Sequence, residues 1–365
     1  MKILFINLSP LQFTVATPDY EPLGGSESSV CYLARQLAQN GHDIYLAARL
    51  PNNTPAHVMG ITHIQVGTIQ DKAFFTQHLF DVVIVCNMPI ACPHVREYSP
   101  TSKIILWNHV LPNQPSMGEL GNPLVQKTMD YIVYVSEHQK GATDKAFRVE
   151  AKARVIGNGL TPSFENLFSS AEELAAIKEN RAAYTTTPFR GLNVLLKAMQ
   201  GLKEETKLDI FSSMRVYQMP DHDYAALYEE AARDPRTYYH GAVSQKELAQ
   251  KLKPAAFLTY PSIFEETFCL SALEAMAAGM KVITTNLGAL PSTTMGYADL
   301  ITIDTSSIDN FADQFRAVMQ KNITAFKTDP KTWAKTMYEQ VKAVNAQCTW
   351  SARAQDWEAL FKSLT

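Results

Sequence analysis

The chain has 365 residues, a formal net charge of −3 and 46% hydrophobic residues. This length is too great for one ordinary core and indicates two domains, and the apolar content excludes a disordered chain. The slight acidic balance argues against nucleic acid as a partner, and five irregularly spaced cysteines indicate a reducing cytoplasm rather than a disulfide framework.

The N-terminal stretch MKILFIN looks like a short signal peptide, but Asn7 and Pro10 interrupt its apolar run, so we predict a buried first strand. No apolar run reaches the roughly 18 residues that span a bilayer. Cys86, Cys92 and His94 lack the paired spacing of a zinc site, and we expect no metal there.

In the first half of the chain, short apolar runs alternate with helical patterns. Residues 26–41 have apolar side chains at helical spacing and end at Gly41. Runs such as VVIVC are apolar at successive positions, which is typical of a parallel sheet covered by helices on both faces. The predicted strands are residues 2–7, 43–48, 62–66, 81–86, 103–107, 131–136 and 153–158.

Residues 161–183 form a predicted connector with one helix, and a second alternating series follows. Its predicted strands are 182–186, 207–211, 238–243, 255–260, 281–286 and 300–303. Its predicted helices are 191–201, 223–234, 244–252, 268–278, 308–321, 331–346 and 350–364. We therefore predict an α/β protein with Rossmann-like doubly wound domains at 1–165 and 166–345, and a terminal segment, 346–365, packed back on the first domain.

The stretch FEETFCLSALEAMAAG, residues 264–279, follows a predicted strand, and ligands bind beyond the carboxyl ends of strands in open parallel sheets. Glu274 is the only charged residue from Thr267 to Met280. A buried, unpaired carboxylate costs several kcal/mol, on an order-of-magnitude scale, unless something binds it. Free N–H groups at the start of the predicted helix form an anion site, at Thr267, Phe268, Cys269 and Leu270.

Glu266 and Glu274 are eight positions apart, which is about 12 Å along a full helix. That separation does not force a proton-sharing pair at about 3 Å or a glycosidase pair at about 5 to 9.5 Å. We interpret the two carboxylates as binding opposite ends of an elongated phosphate ligand. The alternative, a buried glutamate satisfied by backbone and an unrelated loop glutamate, stays open.

The segment PLGGSES, residues 22–28, places Gly24 and Gly25 just before a predicted helix. Paired glycines allow close backbone approach to a phosphate. An ordinary turn, with Ser26 as the N-cap, is the alternative.

The stretch PSIFEETFCLSALEAMAAGMKVITTNLGALPS resembles the C-terminal signature of retaining glycosyltransferases of the GT-B fold, family GT4 (glycosyltransferase group 1). Glu266 and Glu274 match the E-x7-E motif of that family. Other similar segments occur in the family's order, so the resemblance covers nearly the whole chain. They are GGSE, LARQLAQNGHDIYL, YVSEH, VIGNGL and HGAVSQKEL.

The resemblance implies two domains that face a central cleft. It also implies transfer of a hexose-type sugar from a nucleotide-diphosphate sugar to a hydroxyl acceptor, with retention and with no metal or other cofactor. Glu266 would bind donor-sugar hydroxyls and Glu274 the ribose. The backbone at Thr267, Phe268 and Cys269 would contact phosphate or sugar.

Two further site residues follow from the resemblance. His109 follows a first-domain strand, where similar enzymes have a histidine near the transferred sugar. Arg190-Gly191 resembles the phosphate-binding Lys-Gly, and with Glu266 these two residues complete the catalytic candidates. The chain departs from the family's two basic residues, since it has Thr185, Thr186, Thr187 and a single Arg190. Either Arg190 alone binds the phosphates, or Lys197 also contributes to binding them. Asn158-Gly159 resembles a turn near the hinge.

The alternatives on the same fold are a nucleotide-sugar epimerase, a sugar phosphorylase and a non-catalytic nucleotide-sugar-binding module. A dehydrogenase is disfavoured because no G-x-G-x-x-G follows a strand. The mild basic excess over residues 137–154 is typical of a solvated helix face. It leaves open peripheral contact with the inner face of the membrane by an otherwise cytoplasmic protein.

Overall fold

The computed structural model describes residues 1–304 and 307–364. The chain divides into two compact units. The first contains residues 1–18, residues 24–159 and the segment that begins at Trp350, and the second contains residues 19–23 and 160–349. The chain thus passes between the units six residues before the predicted boundary at 165, and again four residues after the one at 345.

The first unit is built on an eight-stranded sheet in the order β3-β4-β2-β1-β5-β6-β7-β8. Its pairs are parallel except β3 with β4, a short antiparallel pair that the sequence analysis did not predict. The strands are β1 Lys2–Asn7, β2 Asp43–Ala48, β3 His57–Val58, β4 Ile61–Gln65, β5 Val82–Cys86, β6 Lys103–Asn108, β7 Tyr131–Tyr134 and β8 Ala153–Val155.

Helices follow most of these strands and cover the sheet. They are α1 Thr17–Tyr20, α2 Gly25–Gln39, α3 Lys72–His78, α4 Ala91–Tyr98, α5 Pro123–Gln126 and α6 Glu137–Phe147. The helix predicted from residue 26 is α2. Of its predicted apolar face, Val30, Leu33, Ala34 and Leu37 are buried and Ala38 is only partly buried. Gly41, with φ +90°, ends this segment as predicted, because glycine adopts that conformation without steric cost.

The second unit is built on a parallel six-stranded sheet in the order β11-β10-β9-β12-β13-β14. The strand order reverses between β9 and β12, and such switch points are where open parallel sheets bind ligands. The strands are β9 Glu179–Tyr184, β10 Lys207–Ile210, β11 Thr237–Tyr239, β12 Ala255–Tyr260, β13 Lys281–Thr285 and β14 Asp299–Ile301. The helices are α7 Ala171–Ile177, α8 Leu192–Gln200, α9 Ala225–Arg233, α10 Gln245–Leu252, α11 Leu270–Ala277, α12 Leu290–Thr293, α13 Ile308–Thr328 and α14 Pro330–Gln347.

The last helix, α15 (Trp350–Leu364), belongs to the first unit although it follows the second in sequence. Trp350 and Trp357 are both buried there, and the ring of Trp357 meets that of Trp107 edge-on at 5.1 Å between centroids. A Cβ atom at Gly159 would lie only 2.4 Å from the Trp350 ring, so glycine is required where that ring packs. Among residues 1–304 and 307–364, no helix has the length and apolarity to cross a membrane.

Candidate functional site

Two loops lie at the switch point of the second sheet, one after β9 and one after β12. Arg190 is in the first loop and Glu266 is in the second. The structure brings these two predicted site residues together across 76 positions of sequence, with 2.6 Å between Arg190 Nη1 and Glu266 Oε1. The loops also touch at Gly191, where φ is +125° and an added Cβ would lie 2.1 Å from the carbonyl oxygen of Pro261.

Glu266 is almost fully buried and is held from two directions. The hydroxyl of Tyr260, the last residue of β12, donates a hydrogen bond of 2.6 Å to the same Oε1 atom. The backbone of Glu266 lies against Gly288, where an added Cβ would be 2.4 Å from the Glu266 carbonyl oxygen. The N–H of Ala289 donates to that oxygen at 2.8 Å. The position of this carboxylate is therefore fixed by residues to which the sequence analysis assigned no role.

Arg190 is packed as well as paired. Its guanidinium lies 4.1 Å from the centre of the Phe264 ring, and its Nη2 donates to the Tyr217 hydroxyl at 3.2 Å. Burial by itself would lower the pKa of Arg190, but the adjacent Glu266 carboxylate outweighs this and raises that pKa above its ordinary value. The guanidinium is therefore charged near pH 7.

Glu274 lies on α11 and is buried, as its surroundings in the sequence suggest. Its partner is the hydroxyl of Thr161, which donates to Oε1 at 2.6 Å from 113 positions away. Burial raises the pKa of Glu274 to about 7, and the Thr161 hydrogen bond opposes that rise. The sequence analysis missed Thr161, because a lone threonine in a connector carries no motif.

The start of α11 differs from the prediction by two residues. The helix begins at Leu270 rather than 268, because Cys269 has a left-handed backbone (φ +78°, ψ +80°) that cannot extend a right-handed helix. Most residues of α11 are buried, Glu274 among them. Positions 267–270 do lie at the N-terminal end of the helix, which carries the positive end of the helix dipole and attracts anions.

The loop after β9 contacts the start of α11. The Ser271 hydroxyl, in the first turn of α11, donates to the carbonyl oxygen of Thr185 at 2.9 Å. The Oγ1 atoms of Thr185 and Thr187 are buried and have no hydrogen-bond partner within the part of the chain that the structure describes. Lys197, the alternative basic residue, instead forms an ion pair with Asp309 at 2.5 Å.

In the first unit, Gly24 is the N-cap of α2 and Gly25 its first residue, so Ser26 lies inside the helix. His109 follows β6, and its Nε2 lies 3.2 Å from Asn158 Oδ1. Burial lowers the pKa of His109 to about 4, so the imidazole is neutral near pH 7. Glu27, which the sequence analysis passed over, is buried in the first turn of α2, and burial raises its pKa.

The described residues include no group of three His, Cys, Asp or Glu side chains placed to hold a metal ion. In the trio considered for zinc, Cys86 and Cys92 are buried, and burial raises the pKa of both thiols. His94 Nε2 is instead 2.9 Å from the backbone carbonyl oxygen of Ile69.

Residues 182–321 match the family model described as glycosyl transferases group 1. The second unit contains a group 1 glycosyltransferase domain. The matched residues of this glycosyltransferase domain include Arg190, Glu266 and Glu274. The predicted resemblance is thereby confirmed for this part of the chain.

One curated relative of this chain is the O-antigen chain mannosyltransferase B of Escherichia coli, 29% identical over 190 residues. That alignment covers 49% of this chain and 48% of the relative, so about half of each protein is matched.

Solved structures match the fold of this chain along its whole length. Sucrose-phosphate synthase from Thermosynechococcus elongatus has a TM-score of 0.72 at 17% identity and covers 100% of this chain and 98% of its own. HepE of Anabaena, in complex with UDP-glucose, has a TM-score of 0.67 at 15% identity, with 100% of both chains covered. Identities this low show the fold alone, and they confirm the predicted GT-B fold with two Rossmann-like domains.

Proposed function

We propose that the protein is a retaining, metal-independent hexosyltransferase that moves a sugar from a nucleotide-diphosphate sugar to a hydroxyl acceptor. The observation that carries this proposal is the convergence of Arg190 and Glu266 at the switch point of a group 1 glycosyltransferase domain. The UDP-glucose bound to HepE and the mannosyltransferase activity named for the Escherichia coli relative support a nucleotide-hexose donor.

The roles of the residues follow from what each can offer. Glu266 directs a carboxylate oxygen at donor-sugar hydroxyls, and Glu274 accepts hydrogen bonds from the ribose. The N–H groups at residues 267–270 bind the diphosphate, whose charge the α11 dipole offsets. Gly24, Gly25 and His109 belong to the first unit, and their parts in donor binding and transfer remain predictions.

The chemical step needs no covalent intermediate on the protein. The bond between the anomeric carbon and the phosphate oxygen breaks and leaves an oxocarbenium-like sugar. The acceptor oxygen then bonds to the same face, and the departing phosphate oxygen takes the acceptor's proton. Donors fixed around the developing phosphate charge would favour this step. A neutral imidazole at His109 can hydrogen-bond near the sugar without adding charge.

The direct test is a thermal-shift screen against UDP, GDP, ADP and their sugar conjugates, with EDTA present. A ligand that binds only the folded state raises the melting temperature with its concentration. We expect one nucleotide family to raise it, and Glu274→Gln to reduce the rise. If no nucleotide shifts the wild type with EDTA or with Mg²⁺, the proposal is wrong, and a shift seen only with Mg²⁺ contradicts its metal-independent part. Proton NMR of the product's anomeric position tests retention.

We also propose a cytoplasmic location with peripheral membrane contact. The basic segment predicted for this contact, residues 137–154, includes α6, where Lys140 is paired with Asp144 at 2.7 Å. The net basic excess of the segment is small, so the expected attraction to anionic lipid is weak. Flotation of the protein with vesicles of anionic lipid and of neutral lipid measures this attraction. Equal binding of the protein to both kinds of vesicle would contradict the proposed membrane contact.

A further inference from the structure

We propose that Thr161 is a positioning residue for the Glu274 carboxylate, and that the hydrogen bond between them makes nucleotide binding sensitive to pH. The inference rests on the proposed function, in which Glu274 accepts hydrogen bonds from the ribose. It adds to the site a residue to which the sequence analysis assigned no role.

The first step of the argument is the contact between the two side chains. The Thr161 hydroxyl donates to Oε1 of Glu274 at 2.6 Å, and the two residues are only 2% and 3% exposed. A hydroxyl bond of this length to a carboxylate is typical of the charge-assisted kind, which is about twice as strong as one between neutral groups. The contact therefore favours the ionised form of Glu274 and holds one of its oxygens in place.

The second step is how firmly Thr161 itself is held. Its carbonyl oxygen accepts from the N–H of Phe164 at 2.9 Å. Pro162 follows it and disfavours a helical backbone at Thr161, where ψ is +127°. On the other side, the N–H of Leu160 donates to the carbonyl oxygen of Cys348. The backbone is thus fixed on both sides, and a β-branched side chain has few rotamers available to it.

The third step is a difference between the two glutamates of the site. Glu266 is paired with the Arg190 guanidinium at 2.6 Å. Glu274 forms no ion pair among residues 1–304 and 307–364, and the hydrogen bond from Thr161 is what opposes the effect of burial on its pKa. Because burial raises that pKa to about 7, Glu274 changes its charge near neutral pH.

The fourth step concerns the titratable groups on the elements around α11. Burial raises the pKa of Tyr260 on β12 and of Cys269 beside the helix start well above their usual values, so both are neutral near pH 7. Lys281 on β13 is ion-paired, and Lys178 donates to a backbone carbonyl at the C-terminal end of α11. Neither α12 nor the buried residues of α14 include a titratable group. The pKa of the α11 carboxyl is therefore determined by burial and by the threonine.

The consequence is a link between nucleotide binding and protonation. Ribose hydroxyls donate more strongly to a carboxylate than to a neutral carboxyl group. Binding therefore favours ionised Glu274, and below about pH 7 it requires that this residue lose a proton. Nucleotide affinity should fall as pH drops through this range. Without the Thr161 hydroxyl the pKa of Glu274 rises further, so the fall should begin at higher pH.

The test is calorimetric titration of UDP-glucose and GDP-mannose, with EDTA, from about pH 6 to about pH 8.5. Sugar conjugates are used because their phosphate groups keep the same charge over this range. Thr161→Val removes the hydroxyl with little change in shape, Thr161→Ser keeps it, and Glu274→Gln removes the titrating group. Thr143→Val is the matched control, because Thr143 is fully buried in α6 and its hydroxyl donates to a backbone carbonyl at 2.9 Å.

We expect the wild-type affinity to fall below about pH 7, by up to about tenfold for each pH unit. In Thr161→Val the midpoint of this fall should move up by about one to two pH units, the usual effect of a hydrogen bond to a charged group. Thr161→Ser and Thr143→Val should keep the wild-type midpoint. Glu274→Gln should show no dependence on pH in this range.

Carbon NMR of protein with labelled glutamate gives the same comparison without nucleotide, and the Glu274 signal is the one that Glu274→Gln lacks. Equal midpoints for wild type and Thr161→Val in this titration would overturn the inference and leave the proposed function standing. If Thr161→Val does not fold, Thr161→Ala replaces it. A wild type that binds neither conjugate, with EDTA or with Mg²⁺, refutes the proposed function and the nucleotide part of the inference, whereas the NMR midpoints decide the role of Thr161 on their own.

Discussion

Glu274 and His109 are both buried, and burial disfavours the charged form of each. The unfolded Glu274 carboxyl titrates near 4.5 and the folded one near 7, so the folded state loses stability as pH rises through that interval. His109 titrates near 6.5 when unfolded and near 4 when folded, so stability falls as pH drops through that range. The two residues therefore give opposite pH dependences between about pH 4.5 and 6.5.

We expect Glu274→Gln to remove the first dependence. The difference in the free energy of unfolding, variant minus wild type, should be more positive at pH 8 than at pH 5 by on the order of 3 kcal/mol. Each pKa unit corresponds to about 1.4 kcal/mol. Urea unfolding at both pH values measures this difference. The control is Glu229→Gln on the exposed face of α9. If the free energy of unfolding of Glu274→Gln and of the wild type changed with pH in parallel, the raised pKa of the buried Glu274 carboxyl would be wrong.

At the residue scale, the sequence predicted the two glutamates and Arg190 but not what holds them. Thr161, Tyr260 and Gly288 lie in a connector, at a strand end and in a loop after a strand, and none belongs to a spacing pattern. Their contacts arise from the packing of segments that are distant in sequence. The spacing of residues along the sequence cannot predict such contacts.

Loops after adjacent parallel strands meet because the strands end at the same edge, and in the second unit they meet through glycines. Gly288, after β13, lies against the backbone of Glu266, after β12. An added methyl group would force one of these two loops to move. The Glu266 carboxylate therefore keeps its position only while these two loops stay this close together.

Gly288→Ala should impair transfer more than it impairs folding. It has φ +63° and an added Cβ would lie 2.4 Å from the Glu266 carbonyl oxygen, so the variant combines backbone strain of about 1 kcal/mol with displacement of the loop. Gly296→Ala is the matched control, because Gly296 has φ +81° and nothing within 4 Å of an added Cβ. Nucleotide release from the donor and melting temperature are measured for both. Equal activity of the two variants would show that the loop accommodates the methyl group.

Elements were predictable from sequence to within a few residues where the apolar pattern was continuous. The strand predicted from 182 begins at Glu179 instead, because polar residues there pair into the sheet, with Arg181 bonded to Asp209 on β10 at 2.7 Å. The start of α11 was predicted two residues too early, because nothing in the amino-acid sequence indicates that Cys269 has a left-handed backbone.

Each unit of the whole molecule has its own sheet and its own buried aromatic residues. Trp107, Trp350 and Trp357 pack together in the first unit, whereas Trp333 packs on Phe326 in the second at 4.9 Å between ring centroids. The helix that contains Trp357 is the last in the chain, so the first unit is complete only after the second has been synthesised.

Trp357→Ala should therefore destabilise the first unit, by about 3 to 5 kcal/mol for a buried tryptophan. Scanning calorimetry should show a lowered transition that nucleotide does not raise. In Trp333→Ala, the comparison variant, the lowered transition should be the one that nucleotide raises, since Glu266 and Glu274 are in that unit. If nucleotide raised only the transition that Trp357→Ala lowers, the nucleotide site would lie in the first unit instead.

Gly159 and Trp350 flank the long segment of the second unit, residues 160–349, and are separated by all of it in sequence. Because an added Cβ at residue 159 meets the Trp350 ring at 2.4 Å, neither position can change freely while the other is kept. Natural relatives should accordingly show linked variation, with a side chain at position 159 only where a smaller residue has replaced the tryptophan.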